Sequence, residues 1–233
     1  MNLDFPATIA VDTETSGTRP SLHELLSVAI VPSWTTRAAI VVYVTPTKPV
    51  DSEAARINGY TPELWAQRGA MSLPVAMDIV AESFKLLYEQ RPRAVIVAHN
   101  SGFDRGFLEE SAAACGVKLP IRHAWECSMT LMGRLMRKHL IPWGNLKLDR
   151  LGELSGQWPV GGRPAIHDVE QDARACLRGY KWLCDLDARP VELLRRFYRL
   201  SASGGATTGE WLELNSIVGD FLGYKKEGGA ANS

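Results

Sequence analysis

No stretch of the 233-residue chain approaches the roughly 18 apolar residues that a membrane span needs, so no membrane association is expected. The N-terminus carries Asp4 and no basic segment, and a signal peptide is not expected either. Cysteine is scarce. Cys115, Cys127, Cys176 and Cys184 form no CxxC pair and no zinc-ligand spacing, a usage that fits reduced thiols and a cytoplasmic location. An excess of one charge is also missing, since 26 Lys+Arg face 26 Asp+Glu. That balance excludes a protein that coats nucleic acid by bulk attraction, though not one that grips a strand end locally. What is present, 45 % hydrophobic and 22 % charged residues, is enough to bury a substantial core and too apolar for wholesale disorder.

Short runs rich in β-branched residues and closed by turn formers read as strands at 8–11 (TIAV), 25–31 (LLSVAIV), 39–44 (AIVVYV) and 94–98 (AVIVA). Their near-continuous apolarity suggests a sheet covered on both faces. Leu73, Met77, Val80, Phe84 and Leu87 recur at helical steps and stop at Arg91-Pro92. Further helices are expected over 103–115, ended by Gly116, over 146–154 and over 169–186. Strands and helices in this order give an α/β class, a sheet sandwiched by helices. The division read from composition is a domain over 1–188 and a C-terminal extension over 189–233. The extension has a helix at 190–200, a Gly/Ser-rich linker at 201–209, an apolar segment at 211–224 and a frayed tail.

Three acidic clusters carry the chemistry. Asp12-Thr13-Glu14 follows the first strand; if the strand continues, Asp12 and Glu14 project from one face, and otherwise they are a solvated strand end. The second, His99-Asn100-Ser101-Gly102-Phe103-Asp104, follows the fourth strand. It reads either as a capping box, Ser101 with Asp104, or as a carboxylate facing a site at a strand's carboxyl end. The third is His167-Asp168-Val169-Glu170-Gln171-Asp172. Residues five apart sit about 140° apart on a helix, so His167 and Asp172 cannot share a helical face. Asp168 and Gln171 form a plausible capping box, which leaves His167 on the preceding loop, able to swing over Asp172. A surface loop beside a solvated helix face is the plain alternative.

Together these clusters resemble the DEDD exonucleases, in particular their histidine branch (DEDDh), typified by the epsilon proofreading subunit of bacterial replicative polymerase. V-D-T-E-T-S-G at 11–17 resembles the first motif, H-N-S-G-F-D at 99–104 the second, and H-D-V-E-Q-D at 167–172 the third, with Val169 where the family has alanine. Lys147-Leu148-Asp149-Arg150-Leu151 resembles the K-L-D-x-L segment of the family. The likeness covers about 9–182. It implies a ribonuclease H-like fold, a mixed five-stranded sheet flanked by helices. It also implies two divalent ions, Mg²⁺ or Mn²⁺, and 3′–5′ removal of nucleotides from a nucleic acid 3′ end; the role is proofreading, DNA repair or a mobile element's DNA metabolism. By that resemblance Asp12 bridges both ions, Glu14 and Asp172 hold the ion carrying the nucleophilic water, Asp104 serves the other ion, and His167 takes the water's proton. Thr13, Asn100 and Phe103, inside the same motifs, are the candidates for contact with the strand end.

The residue types suit that task. Hard divalent ions take oxygen ligands, and two of them about 4 Å apart can activate a water and stabilise both the attacking and leaving oxygens. Without metal the carboxylates repel, by about 4 kcal/mol for one pair at 4 Å and an effective dielectric of 20. An imidazole that titrates near neutrality suits a general base. His99 reads as a partnered buried histidine, Asp149 as structural, and Phe103 as either a base-stacking or a helix-packing ring. Trp143, near Lys147, is a core residue, a loop anchor or a nucleic-acid contact. DNA is favoured over RNA only by the motif details; an exoribonuclease, or a non-catalytic nucleic-acid or polymerase-binding module, is the alternative. The segment 211–224 is either a docking surface for a polymerase partner or a latch on its own domain.

Overall fold

The computed structural model describes residues 5–35, 39–121, 124–159 and 164–203, with side chains as far as 188. Strands β1 (Thr8–Thr15), β2 (Leu25–Pro32), β3 (Ile40–Tyr43), β4 (Val95–Ala98) and β5 (Trp125–Cys127) form one mixed sheet in the order β3-β2-β1-β4-β5. β1 pairs antiparallel with β2 and β2 with β3, while β4 lies parallel to β1 and β5 parallel to β4. The helices are α1 (Ser52–Asn58), α2 (Pro62–Gln67), α3 (Leu73–Gln90), α4 (Ser101–Cys115), α5 (Ser128–Arg137), α6 (Leu148–Leu154) and α7 (Val169–Ser203).

Strand alternation divides the core in two. Ile9 and Val11 of β1 point to one side, against Met77, Val80 and Phe84 of α3 and Phe107 and Leu108 of α4. Ala10, with Val97 of β4, points to the other, against Met132 and Leu135 of α5, Leu151 of α6 and Ala173 and Cys176 of α7. Every residue of β2 is buried, as expected of a strand covered on both faces. None of the four cysteines forms a disulfide. Among the described residues no helix is long and apolar enough to cross a membrane.

Several boundaries differ from the sequence reading. β1 does not stop at Val11 but runs through the acidic cluster to Thr15, because Asp12, Thr13 and Glu14 keep their ladder with Ala29, Val28 and Ser27. The helical reading over 146–154 begins two residues later, at Leu148, since Lys147 is the extended cap. The helices read over 169–186 and 190–200 are one element, α7, which continues past Pro190. An interior proline lacks the N–H for the ladder and crowds the carbonyl four residues back, at a cost of about 3 kcal/mol, which the helix formers on both sides offset. The linker read at 201–209 begins later, because residues 201–203 still belong to α7. The segment 204–233, with the rest of the linker and the apolar stretch 211–224, lies outside the described residues.

Candidate active site

β1 and β4 are parallel neighbours, Thr8 opposite Val95 and Ala10 opposite Val97, so their carboxyl ends open on the same edge of the sheet. Ligands gather at such an edge. On β1 the alternation that sends Ala10 toward α7 sends Asp12 and Glu14 the same way, and Thr13 toward α4. A register shift follows at once, between Glu14 and Thr15, where β2 gains a residue. Bulges beside sites end pairing and re-aim side chains.

Asp172 answers from the other side. Asp168 caps α7, its Oδ1 accepting the Gln171 N–H at 3.0 Å, and this leaves Asp172 in the first turns, 3 % exposed. His167 stands on the preceding loop, and its Nδ1 lies 3.9 Å from Asp172 Oδ2. The loop is fixed by α1, for the His167 N–H donates to the Ile57 carbonyl at 2.9 Å. α1 is itself tied to the end of β1: Asn58 Nδ2 donates to the Thr15 carbonyl, and the Asp51 N–H to that of Ser16. Glu14, His167 and Asp172 thus offer ligand atoms that all lie within 4.8 Å of one another.

Asp104 enters from the opposite face of the sheet. It is 3 % exposed and accepts a hydrogen bond from Thr13 Oγ1 at 2.9 Å. Burial pushes its carboxyl up to about 7, more than the Thr13 hydroxyl and the backbone N–H groups of Thr13 and Asp104 offset. The capping reading of Ser101 with Asp104 does not hold. Asn100 is the cap, in the left-handed region at φ 72, and Ser101 is already helical. Asparagine tolerates that region better than most residues, and polar pattern alone does not reveal the conformation.

Asp12, Thr13, Glu14, Asn100, Phe103, Asp104, His167 and Asp172 all line one cleft of about 800 Å³. Asp12 and Asp104 both press electrostatically on the buried thiol of Cys176, which burial pushes up most of all. Phe103 is half-buried, its ring 4.9 Å from Phe107, so it packs on the core while presenting a face to the cleft. The Thr13 hydroxyl is given to Asp104 and orients that carboxylate. His99 is the partnered histidine the sequence suggested. Its Nε2 lies 2.7 Å from the Leu146 carbonyl, which can only accept, and its Nδ1 2.9 Å from Ser128 Oγ.

Other residues in and beside the cleft carry no site signal in the sequence. Among the described residues Asp51, Glu53 and Asp149 bring the carboxylates of the cleft to seven, against the cations Arg56 and Lys147. Asp149, read as structural, faces the cleft because α6 starts at Leu148. Cys127 sits where α4 and α5 begin; the hydroxyl and N–H of Thr130 and the N–H groups of Ser101 and Asn100 outweigh burial and bring its thiol down to about 7. A lone cysteine outside any motif gave no sign of this. Gly17, third of the Thr-Ser-Gly turn, is needed for space: a Cβ there would lie 2.3 Å from His23 and 2.6 Å from Asp51, which themselves pair at 3.2 Å.

Carboxylates from the end of β1 and from the first turns of α4 and α7, with a histidine beside them, form a set of oxygen donors of the kind that hard cations take. Residues 9–180 match the RNase_T exonuclease family model, and the chain belongs to this exonuclease family. A Mycobacterium tuberculosis protein that carries the name bifunctional exonuclease/endonuclease is 25 % identical over 185 residues, 75 % of this chain and 26 % of that protein. In structure the chain is similar to Escherichia coli exonuclease I in complex with a dT13 oligonucleotide, with a TM-score of 0.65 at 17 % identity, covering 82 % of this chain and 43 % of that one. It is similar also to exonuclease I of Methylocaldum szegediense, at 0.62 and 20 %, covering 82 % and 46 %. At these identities the likeness is one of fold. The chain spans about a quarter of the mycobacterial protein and under half of either exonuclease I.

Proposed function

We propose that the cleft hydrolyses the terminal phosphodiester at the 3′ end of single-stranded DNA, in the 3′–5′ direction and in the histidine-branch manner. The observation that carries this reading is the convergence of Glu14, Asp172 and His167 within 4.8 Å on a cleft floor that also holds Asp12 and Asp104. The donor set fits hard cations: carboxylate oxygens from both faces of the sheet, in a site where Asp104 resists ionising alone. Two divalent ions, Mg²⁺ or Mn²⁺, held by Asp12, Glu14, Asp104 and Asp172, would lower the pKa of the attacking water and offset charge on the phosphate oxygens. His167 takes the proton of that water, and Asp172, 3.9 Å from Nδ1, steadies the imidazolium that forms. Thr13 holds Asp104 in place through its hydroxyl, while Asn100 and the open face of Phe103 meet the terminal nucleotide. The dT13 complex of exonuclease I supports a single-stranded DNA substrate.

The family match at 9–180 supports placing catalysis within 1–188. The extension 189–233 then serves contact with a polymerase or another replication partner, and removing 210–233 leaves nuclease activity intact; an unfolded product identifies a latch instead. The direct test is an assay on end-labelled oligonucleotides in Mg²⁺, in Mn²⁺ and in chelator. A 5′-labelled DNA strand shortens stepwise from its 3′ end in either metal and survives in chelator. Internal cuts, or no cleavage with either ion, overturn the reading, and faster loss of a matched RNA strand identifies an exoribonuclease.

A further inference from the structure

Between α5 and α6 the chain forms an arch whose residues 142–145 are exposed, and Trp143 keeps 65 % of its surface in water. That excludes the core-packing reading. Among the described residues no other large apolar side chain is so exposed. The backbone beneath it is nevertheless tightly held. Ile141 and Leu148 are buried at its two ends, 4 % and 6 % exposed. Arg150 Nη2 donates to the carbonyls of Pro142, at 3.0 Å, and Trp143, at 3.2 Å. Gly144 packs close against that guanidinium, where a Cβ would come within 2.5 Å of Cζ. Asn145 Oδ1 accepts the Lys147 N–H at 3.0 Å, and the Leu146 carbonyl accepts from His99, which lines the cleft. One arginine, one glycine and a cleft histidine thus shape a rigid platform under an indole that the fold leaves in solvent.

The root of the arch enters the site. Leu146 and Lys147 line the cleft, and among the described residues Lys147 is one of two cations set there against seven carboxylates. A polyanionic strand entering so acidic a cleft needs cations along its path, and Lys147 offers one where the arch meets the floor. Trp143 is four residues further out, at most about 14 Å along the chain. The geometry points to a strand-gripping site, resting on the nuclease reading of the cleft: Lys147 contacts a backbone phosphate, and Trp143 stacks on the base of an unpaired nucleotide upstream of the 3′ terminus. Every base has a π-face, so this grip favours single strands without sequence preference.

The test compares dT13 with the p-nitrophenyl ester of thymidine 5′-monophosphate, which has no upstream nucleotide. W143A raises KM for dT13 by about 5- to 150-fold, the range set by loss of one base–aromatic stack, with kcat nearly unchanged. It leaves turnover of the ester alone, and W143F restores most of the affinity for dT13. K147A weakens dT13 binding and reduces the salt dependence by about 0.7 in the log–log slope, the loss of one phosphate contact to a single strand. An unchanged KM for dT13 in W143A, or an equal loss on the ester, overturns the inference. If the wild-type protein hydrolyses neither compound, the nuclease reading fails by itself. Anisotropy of labelled dT13 in chelator then still decides the arch, since an equal Kd for W143A and wild type refutes it.

Discussion

Replacing Asp104 with asparagine should stabilise the metal-free protein while abolishing its turnover. The carboxyl is 3 % exposed, and burial lifts it from 3.8 to about 7. The sign follows from proton uptake. Below the unfolded value both states hold the proton and the site costs nothing. Between about pH 4 and pH 7 the unfolded chain releases its proton while the folded one keeps it, so stability falls as pH rises and levels off above 7. A shift of about three units corresponds to a ceiling of about 4 kcal/mol at pH 8. Asparagine keeps an acceptor for Thr13 Oγ1 but brings an amide N–H₂ that the site was not built to bond, which leaves a gain of about 1–3 kcal/mol. For a chain of this size that is an upward shift in Tm of about 3–10 °C. Thermal melts in chelator at pH 8 and pH 5, wild type against D104N, measure it, and the advantage shrinks at the lower pH. Addition of Mn²⁺ should raise the Tm of the wild type far more than that of the variant. A D104N protein that melts at or below the wild type at pH 8 would refute a strained carboxylate at this position.

Other perturbations separate the roles of neighbouring residues. H167A should lower kcat roughly 10²–10⁴-fold while the Mn²⁺-induced rise in Tm survives, as expected of a general base; loss of that rise would make His167 a ligand instead. G17A forces a Cβ onto His23 and Asp51 and should cost about 1–3 kcal/mol in urea unfolding, with no loss expected if the turn simply opens. Asp187 joins α5 to α7 by accepting from Arg134 at 2.6 Å and Lys138 at 2.8 Å, which outweigh burial and hold its carboxyl below 3.8. D187N should therefore cost about 0.5–1 kcal/mol at pH 7. The deficit should disappear as pH falls through the lowered pKa, where the wild-type carboxylate gains its proton. Equal stabilities at pH 7 would show the clasp to be idle.

The motifs were legible because their chemistry and their position coincide. Asp12 and Glu14 two apart on a strand, and Asp168 capping a helix so that His167 falls outside it, are consequences of period and of N-terminal N–H groups that need partners. Less visible was everything that depends on a contact between distant segments. β5 is three residues long, too short to give an alternation, and α5 follows it without a separate start signal. The short helices α1 and α2 give little periodicity of their own, yet α1 is what fixes the His167 loop, through one backbone hydrogen bond. Side-chain identity does not announce that Asn100 takes a positive φ. It does not announce either that Arg150 turns back under the arch and leaves Trp143 in water.

At the centre lies the claim that carboxylates from β1, α4 and α7 form one cation-holding pocket. Titration with Mn²⁺, followed by calorimetry or by the loss of the free-ion paramagnetic resonance signal, measures that directly. Two ions should bind per wild-type chain and the pair should be lost in D12A, which should also be inactive with both Mg²⁺ and Mn²⁺. Absence of binding in the wild type, or an undiminished pair in D12A, would contradict it.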